Sequence, residues 1–339
     1  MNGGQGTRPA RPGDSPLAGA PVVAEVVRNG FVESVHHGIV VATAPGGSAP
    51  VAIGPVDAPV LPRSSLKPLQ AVAMLRAGAD LSGELLALAC ASHSGEDVHQ
   101  EGALAILRSV GLGEEALQNT PDRPLEDDLR DRWYAEGRPP TSLAQNCSGK
   151  HAGMLAACVA AGWDTGTYRD PHHPLQQLVV ETVEELTGDR VGAVTVDGCG
   201  APALAVSTRG LARAFGRIAS AVPGTPEGRV ADAIRAHPRH LGGTGRDVTL
   251  LVDGVAGLIA KDGAESVYAV GLADGHGVAV KITDGAERAR VVVTTAVLRR
   301  LGVGRDEARV AALLDELDAR AAVRGHGEVV GGVRAAGIS

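Results

Sequence analysis

Ser64 and Lys67 stand three residues apart. On one face of a helix that spacing sets a hydroxyl beside an amine. Pro68 fits only the first turn of a helix, so a helix is expected to begin at Ser64 or Ser65. A helix N-terminus disfavours a further positive charge. An amine left neutral there can take the serine proton and make its oxygen a nucleophile. The competing reading is a capping Ser65 and a solvated lysine, since Ser-x-x-Lys occurs in many chains. The lysine count adds weight. Of 32 basic residues all but Lys67, Lys150, Lys261 and Lys281 are arginines. Arginine keeps its proton in a protein and lysine can lose it, so each retained lysine is a candidate base, nucleophile or ligand.

Lys261-Asp262-Gly263 closes a β-rich run at 257–261. In Ser–Lys acyl-transfer enzymes a Ser-x-x-Lys helix is partnered by Lys-Thr-Gly on a late strand. The order fits, although Ser-Asp-Asn is missing. The segment Cys90-Ala91-Ser92-His93-Ser94-Gly95-Glu96 concentrates nucleophiles, an imidazole and a carboxylate. Burying these unpaired is costly, so the segment is expected to face a cleft. Cys147-x-x-Lys150 and Asp197-Gly198-Cys199-Gly200 bring two thiols into glycine-containing turns. They could meet around zinc, or they could be two buried structural cysteines. Among the histidines there is no His-Glu-x-x-His. The chain also lacks a phosphate loop and a dinucleotide fingerprint, so no nucleotide cofactor is implied.

The elements that must position these groups fall into a simple order. Residues 22–28 and 32–42 read as a hairpin around Asn29-Gly30, followed by a strand at 51–53. Helical spacing runs over 64–75, then 84–92, 100–110, 126–136, 150–161, 174–187, 202–219 and 226–237. Short strands are expected at 248–252, 257–261, 266–270 and 278–282, broken by Asp-Gly pairs, and helices at 288–301 and 305–317. The stretch 328–337 is ambiguous. Strands at both ends and helices between them predict an α+β fold. In it an antiparallel sheet of N- and C-terminal strands is covered by helices, with a helical region inserted over about 83–240. Residues 22–320 would form one catalytic domain, 1–21 a disordered tail without a secretory h-region, and 321–339 an extension.

The totals bound the class. Hydrophobic residues make up 44%, which suits a full globular core, while aromatics make up only 2%. The net charge of −7 and the scattered arginines argue against a nucleic-acid partner. No apolar run reaches the roughly 18 residues that span a bilayer. Four cysteines without a signal point to reduced thiols in the cytoplasm.

Together these segments resemble the rhizobial-type L-asparaginases, a family labelled type II and distinct from the threonine-based bacterial enzymes. The carrying residues are Glu33-Ser34-Val35-His36, Pro62-Arg63-Ser64-Ser65-Leu66-Lys67-Pro68 and the Cys90–Glu96 run. They continue through Asn146-Cys147-Ser148-Gly149-Lys150-His151, His173-Pro174-Leu175-Gln176, Asp197-Gly198-Cys199-Gly200, Gly242-Gly243-Thr244-Gly245-Arg246 and Lys261-Asp262-Gly263. The resemblance implies a serine β-lactamase/glutaminase-like fold, usually a homodimer, hydrolysing L-asparagine to L-aspartate and ammonia. It implies two Ser–Lys pairs, Ser64 with Lys67 and Ser92 with Lys261, and a zinc site at Cys147, Lys150 and Cys199. Ser94 is the alternative second serine. In this reading Arg63 is the candidate for the substrate α-carboxylate, Glu96 or Asp197 for the α-ammonium, and His93 a further substrate contact. The alternatives are a glutaminase or other small-amide hydrolase, an inactive zinc-dependent regulatory protein, and a penicillin-interacting enzyme, which the absent Ser-Asp-Asn disfavours.

Overall fold

The computed structural model describes residues 15–338. The expected tail at 1–21 lies largely outside the described residues; from Ser15 the chain makes a turn and buries Ala20 against the core. The first strands are β1 (Val22–Arg28), β2 (Phe31–Thr43), β3 (Val51–Ile53) and β4 (Pro59–Val60). Helices follow: α1 (Lys67–Arg76), α2 (Gly83–Ala89), α3 (Asp97–Ser109), α4 (Asp127–Ala135), α5 (Ser148–Ala161) and α6 (Pro174–Thr187). Next come β5 (Ala193–Val196), β6 (Pro202–Ser207), α7 (Thr208–Ala219), α8 (Pro226–Ala236), α9 (Pro238–Leu241) and α10 (Asp247–Gly254). The chain ends with β7 (Ile259–Gly263), β8 (Val267–Gly271), β9 (Gly277–Ile282), α11 (Arg290–Arg300), α12 (Ala308–Ala319), β10 (Ala322–Gly325) and β11 (Glu328–Ala335).

The fold is α+β. N- and C-terminal strands share one antiparallel sheet of eight, in the order β10-β11-β1-β2-β9-β8-β7 with β3 added on β2, so the N-terminal hairpin sits between C-terminal strands on both sides. Asn29 and Gly30 both take left-handed φ values, 46° and 83°, as a two-residue hairpin turn between twisted strands requires. Strands β7, β8 and β9 are buried at every residue, including the charged Lys261 and Asp262 of β7 and Lys281 of β9. Helix α7 lies on this sheet so closely that a methyl on Gly277 would stand 1.8 Å from the Ala212 carbonyl. A small sheet, β4-β6-β5, flanks the helical region.

Three expectations need correction. Residues 202–207 form β6 instead of the first part of a helix, because Ser207 caps α7 by accepting from the Gly210 amide. Residues 248–252 lie in helix α10; a short apolar run carries no period that separates a strand from a buried helical turn. Asp262-Gly263 stays inside β7, and the hairpin turns at Glu265 and Ser266, which both take positive φ. The ambiguous 328–337 stretch forms β11 and pairs with β1.

Candidate active site

A cavity of about 510 Å3 opens where the start of α1, the segment 91–96 and the end of β7 meet. Ser64, Ser92 and Ser94 stand on its wall with Asn146, Arg246 and Asp262. Residues Arg63–Leu66 make one turn of 3-10 helix that runs into α1, with Pro68 in the first turn. Three residues per turn eclipse Ser64 and Lys67 on one side. Arg63 enters this turn at φ 53°, a strained value for a residue with a Cβ. Segment 91–96 is irregular, with Gly95 at φ 90°. Ser92 and Ser94 reach the cavity, while His93 is buried and bonds Ser148 Oγ at 2.9 Å.

The Lys67 amine is buried and donates to the Ala91 carbonyl at 2.5 Å, Ser92 Oγ at 3.0 Å and Cys147 Sγ at 3.1 Å. Among the described residues Ser64 Oγ has no hydrogen-bond partner, and none joins it to Lys67. The Lys261 amine, fully buried, donates to the backbone carbonyl of Asp262 at 2.7 Å and to its side-chain Oδ1. Burial, with the charge of Lys67, pulls the Lys261 amine down to about 8, against the attraction of Asp262. Burial also opposes the Asp262 charge, yet Lys261, Arg246 and Arg290 together hold its carboxyl far below the usual range. The pairs differ from those expected: Lys67 meets Ser92, Lys261 meets Asp262, and Ser64 bonds neither amine. Buried Ser65 donates to the Lys261 carbonyl at 3.2 Å and ties the 3-10 turn to β7.

Cys147 and Cys199 lie together with Ala201 in a small buried cluster. Lys150 donates to Cys199 Sγ at 3.0 Å. Hydrogen bonding to Cys199, against burial and with the charges of Lys67 and Lys150, holds Cys147 well below the usual thiol range. The same bond and burial push Cys199 up. Lys150 lies in the first turn of α5, where a cation is unfavourable. Burial also works against its charge, but the two sulfurs outweigh burial and raise its affinity for the proton. Among the described residues no three His, Cys, Asp or Glu side chains converge as metal donors. The expected set of two sulfurs and an amine is brought together, and N/S donors of this kind suit zinc.

The expected substrate contacts are placed less directly. Arg63 donates from Nε to Asp197 Oδ1 at 2.8 Å, and neither side chain is on the cavity wall. Glu96 is occupied by Arg239 at 2.7 Å, by the Thr244 amide at 2.6 Å and by Thr244 Oγ1 at 3.0 Å. His93, at 0% exposure, has no path to a substrate in the cavity. The wall residues Arg246, Asp262 and Asn146 were not singled out from the sequence; their only signal is their place in the Gly-Gly-Thr-Gly-Arg, Lys-Asp-Gly and Asn-Cys-Ser-Gly-Lys segments.

The family model described as L-asparaginase II matches residues 24–335. No curated protein matches the chain. Among solved structures, Mglu in its native form in 4.3 M NaCl is similar at TM-score 0.45 and 14% identity, covering 85% of this chain. The chain spans 66% of that structure's length. A second Mglu structure is similar at TM-score 0.43 and 16% identity, covering 92% of this chain and 78% of its own. EstCE1, described as a hydrolase with promiscuous acyltransferase activity, is similar at TM-score 0.36 and 12% identity, covering 80% and 91%.

Proposed function

The chain belongs to the L-asparaginase II family, and we propose that it hydrolyses the side-chain amide of L-asparagine through a serine acyl-enzyme. The observation that carries this reading is the buried Lys67 amine, held 3.0 Å from a serine hydroxyl on the wall of a cavity that a second serine, Ser64, also lines. Ser64 Oγ attacks the amide carbon as Lys67 takes its proton. Lys67 then protonates the nitrogen as the carbon–nitrogen bond breaks and ammonia leaves. Water hydrolyses the ester by the reverse proton path and releases aspartate. Ser92 relays the proton between the two lysines or donates to the oxyanion. Arg63, next to Ser64 in the chain, and its ion-pair partner Asp197 are the proposed contacts for the substrate's charged backbone groups.

A second reading makes Ser92 the nucleophile, favoured by its direct bond to Lys67. Mass spectrometry of protein quenched during turnover decides, because the acyl group stays on the peptide that carries the nucleophile. Zinc held by Cys147, Lys150 and Cys199 would supply positive charge beside the cavity. A homodimer, and a cytoplasmic location suited to four free cysteines, complete the proposal. Ammonia release from L-asparagine, L-glutamine and a β-lactam tests it. Asparagine is expected to be the best substrate, although one methylene in a pocket is worth only about 1–3 kcal/mol. Turnover of neither amide would refute the enzyme, and faster glutamine turnover would refute the selectivity.

A further inference from the structure

Arg246 has no part in the chemistry above, yet it touches a residue bonded to each of the two amines, Ser92 for Lys67 and Asp262 for Lys261. Its Nη1 donates to the Ser92 carbonyl at 2.8 Å and its Nη2 to Asp262 Oδ2 at 2.6 Å. Ser92 carries the hydroxyl that Lys67 holds, and the other oxygen of Asp262 carries Lys261. One planar guanidinium therefore spans two segments 170 residues apart in the chain, with a donor for each. The turn that presents it is built for the purpose. Gly243 and Gly245 take φ values of 123° and 72°, and a methyl on Gly243 would stand 1.9 Å from Ser94 Oγ. Glu96 grips Thr244 through its amide and hydroxyl, which gives that carboxylate a role outside the cavity. Arg320 donates to the Gly245 carbonyl at 2.7 Å.

We propose that Arg246 is a positioning residue that holds the Lys67–Ser92 and Lys261–Asp262 pairs in register across the cavity, so that both amines serve one reaction. The proposal deepens the amidase reading and rests on it. A lysine at this position would keep a charge but lack the fork that reaches two acceptors at once. Loss of the guanidinium frees the Ser92 carbonyl and one oxygen of Asp262. It also removes one of the cations that, after burial, oppose a proton on Lys261.

The test compares wild type, Arg246→Met and Arg246→Lys, each folded as judged by thermal melting. With four lysines in the chain, protein labelled at lysine Cε and Nζ gives four side-chain signals that can be followed by NMR through pH. In Arg246→Met the Lys261 signal is expected to titrate at higher pH than in wild type, while Lys281, bonded to the Glu265 carbonyl, stays in place. kcat is expected to fall by about 10²-fold, the cost of a misplacement near 1 Å, with KM little changed. The acid limb of the kcat profile should rise with the Lys261 titration. Arg246→Lys is expected to keep the wild-type titration and still lose kcat. An unmoved Lys261 titration in Arg246→Met overturns the proposal, as does wild-type kcat in that variant. If wild type turns over no amide, the amidase reading fails separately and the NMR titration alone judges Arg246.

Discussion

Gly263→Ala tests whether the 3-10 turn carrying Ser64 is held in place by strand β7. A methyl on Gly263 would stand 2.4 Å from the Pro62 carbonyl oxygen, 2.8 Å from Ser65 Oγ and 3.2 Å from the Ser65 amide nitrogen. Carbon–oxygen contacts settle at about 3.3 Å, so the turn and the strand must part by about 0.9 Å at this point. The atom in the way is backbone, so no side-chain rotation relieves it. Overpacking of this kind costs about 1–3 kcal/mol of stability. The catalytic cost is larger in kind, because the separation moves Ser64 relative to Lys67 and Asp262. A displacement near 1 Å lowers the rate about 10²-fold. The assay pairs kcat/KM for ammonia release with thermal melting. Gly46→Ala serves as control, since a methyl there meets nothing within 4 Å. The expected pattern is a modest melting shift with kcat/KM down by about two orders of magnitude. A Gly263→Ala protein that melts lower but keeps wild-type kcat/KM would refute the idea that this contact sets the geometry of the nucleophile.

Lys67→Met and Lys261→Met should each lower kcat by about 10²- to 10⁴-fold without unfolding the protein, measured by ammonia release and circular dichroism. Ser65→Ala should cost about 1 kcal/mol of stability, from the lost bond to the Lys261 carbonyl, and leave most activity; a dead Ser65→Ala beside an active Ser64→Ala would show that Ser64 is not the nucleophile. His99 is held down to about 4, by burial above all, so the folded protein binds fewer protons than the unfolded chain between pH 6.5 and about 4. Stability should therefore be complete above pH 6.5 and fall as pH drops towards 4, and His99→Gln should flatten that slope in urea denaturation; an unchanged slope would remove His99 as its cause. Reduced wild-type protein should take up one zinc at neutral pH and release it on acidification as protons return to the sulfurs and Lys150, while Cys199→Ser should take up far less; metal analysis showing no uptake by wild type would end the zinc proposal.

The parts legible in the sequence are those governed by local periodicity. Asn29-Gly30 marks its hairpin because that turn demands left-handed residues, and the helices from α1 to α8 show their apolar spacing. The failures at 202–207 and 248–252 arise in short apolar runs, where burial on all sides removes the period that would tell strand from helix. The site was legible by residue type and not by partner. Ser64 and Lys67 do share one side of a turn, but that spacing fixes only where the side chains start. The lysine stem is long enough to leave its own turn, and its amine ends among Ala91, Ser92 and Cys147, which α2 and α5 deliver from elsewhere. Arg246 was harder still. It is one arginine among many, and nothing in local spacing ties position 246 to positions 92 and 262.

A common feature explains both the success and the failure. The groups proposed to do chemistry sit where regular structure begins or ends: the 3-10 turn before α1, the irregular segment after α2, the first turn of α5, the turn after β5, the residue before α10 and the last residues of β7. Such segments carry glycine, serine and cysteine for steric and hydrogen-bonding reasons, and so stand out in a sequence as clusters of unusual residues. Their backbones are not set by a repeat. The tertiary fold decides which segments face each other, and a change as small as a methyl on Gly263 is expected to reach the nucleophile through that arrangement. A Gly263→Ala effect that is additive with Arg246→Met would mean that the two contacts position the site independently. Strong non-additivity in a double-mutant cycle would mean that the turn, β7 and Arg246 hold a single catalytic arrangement, as expected for residues that share one network.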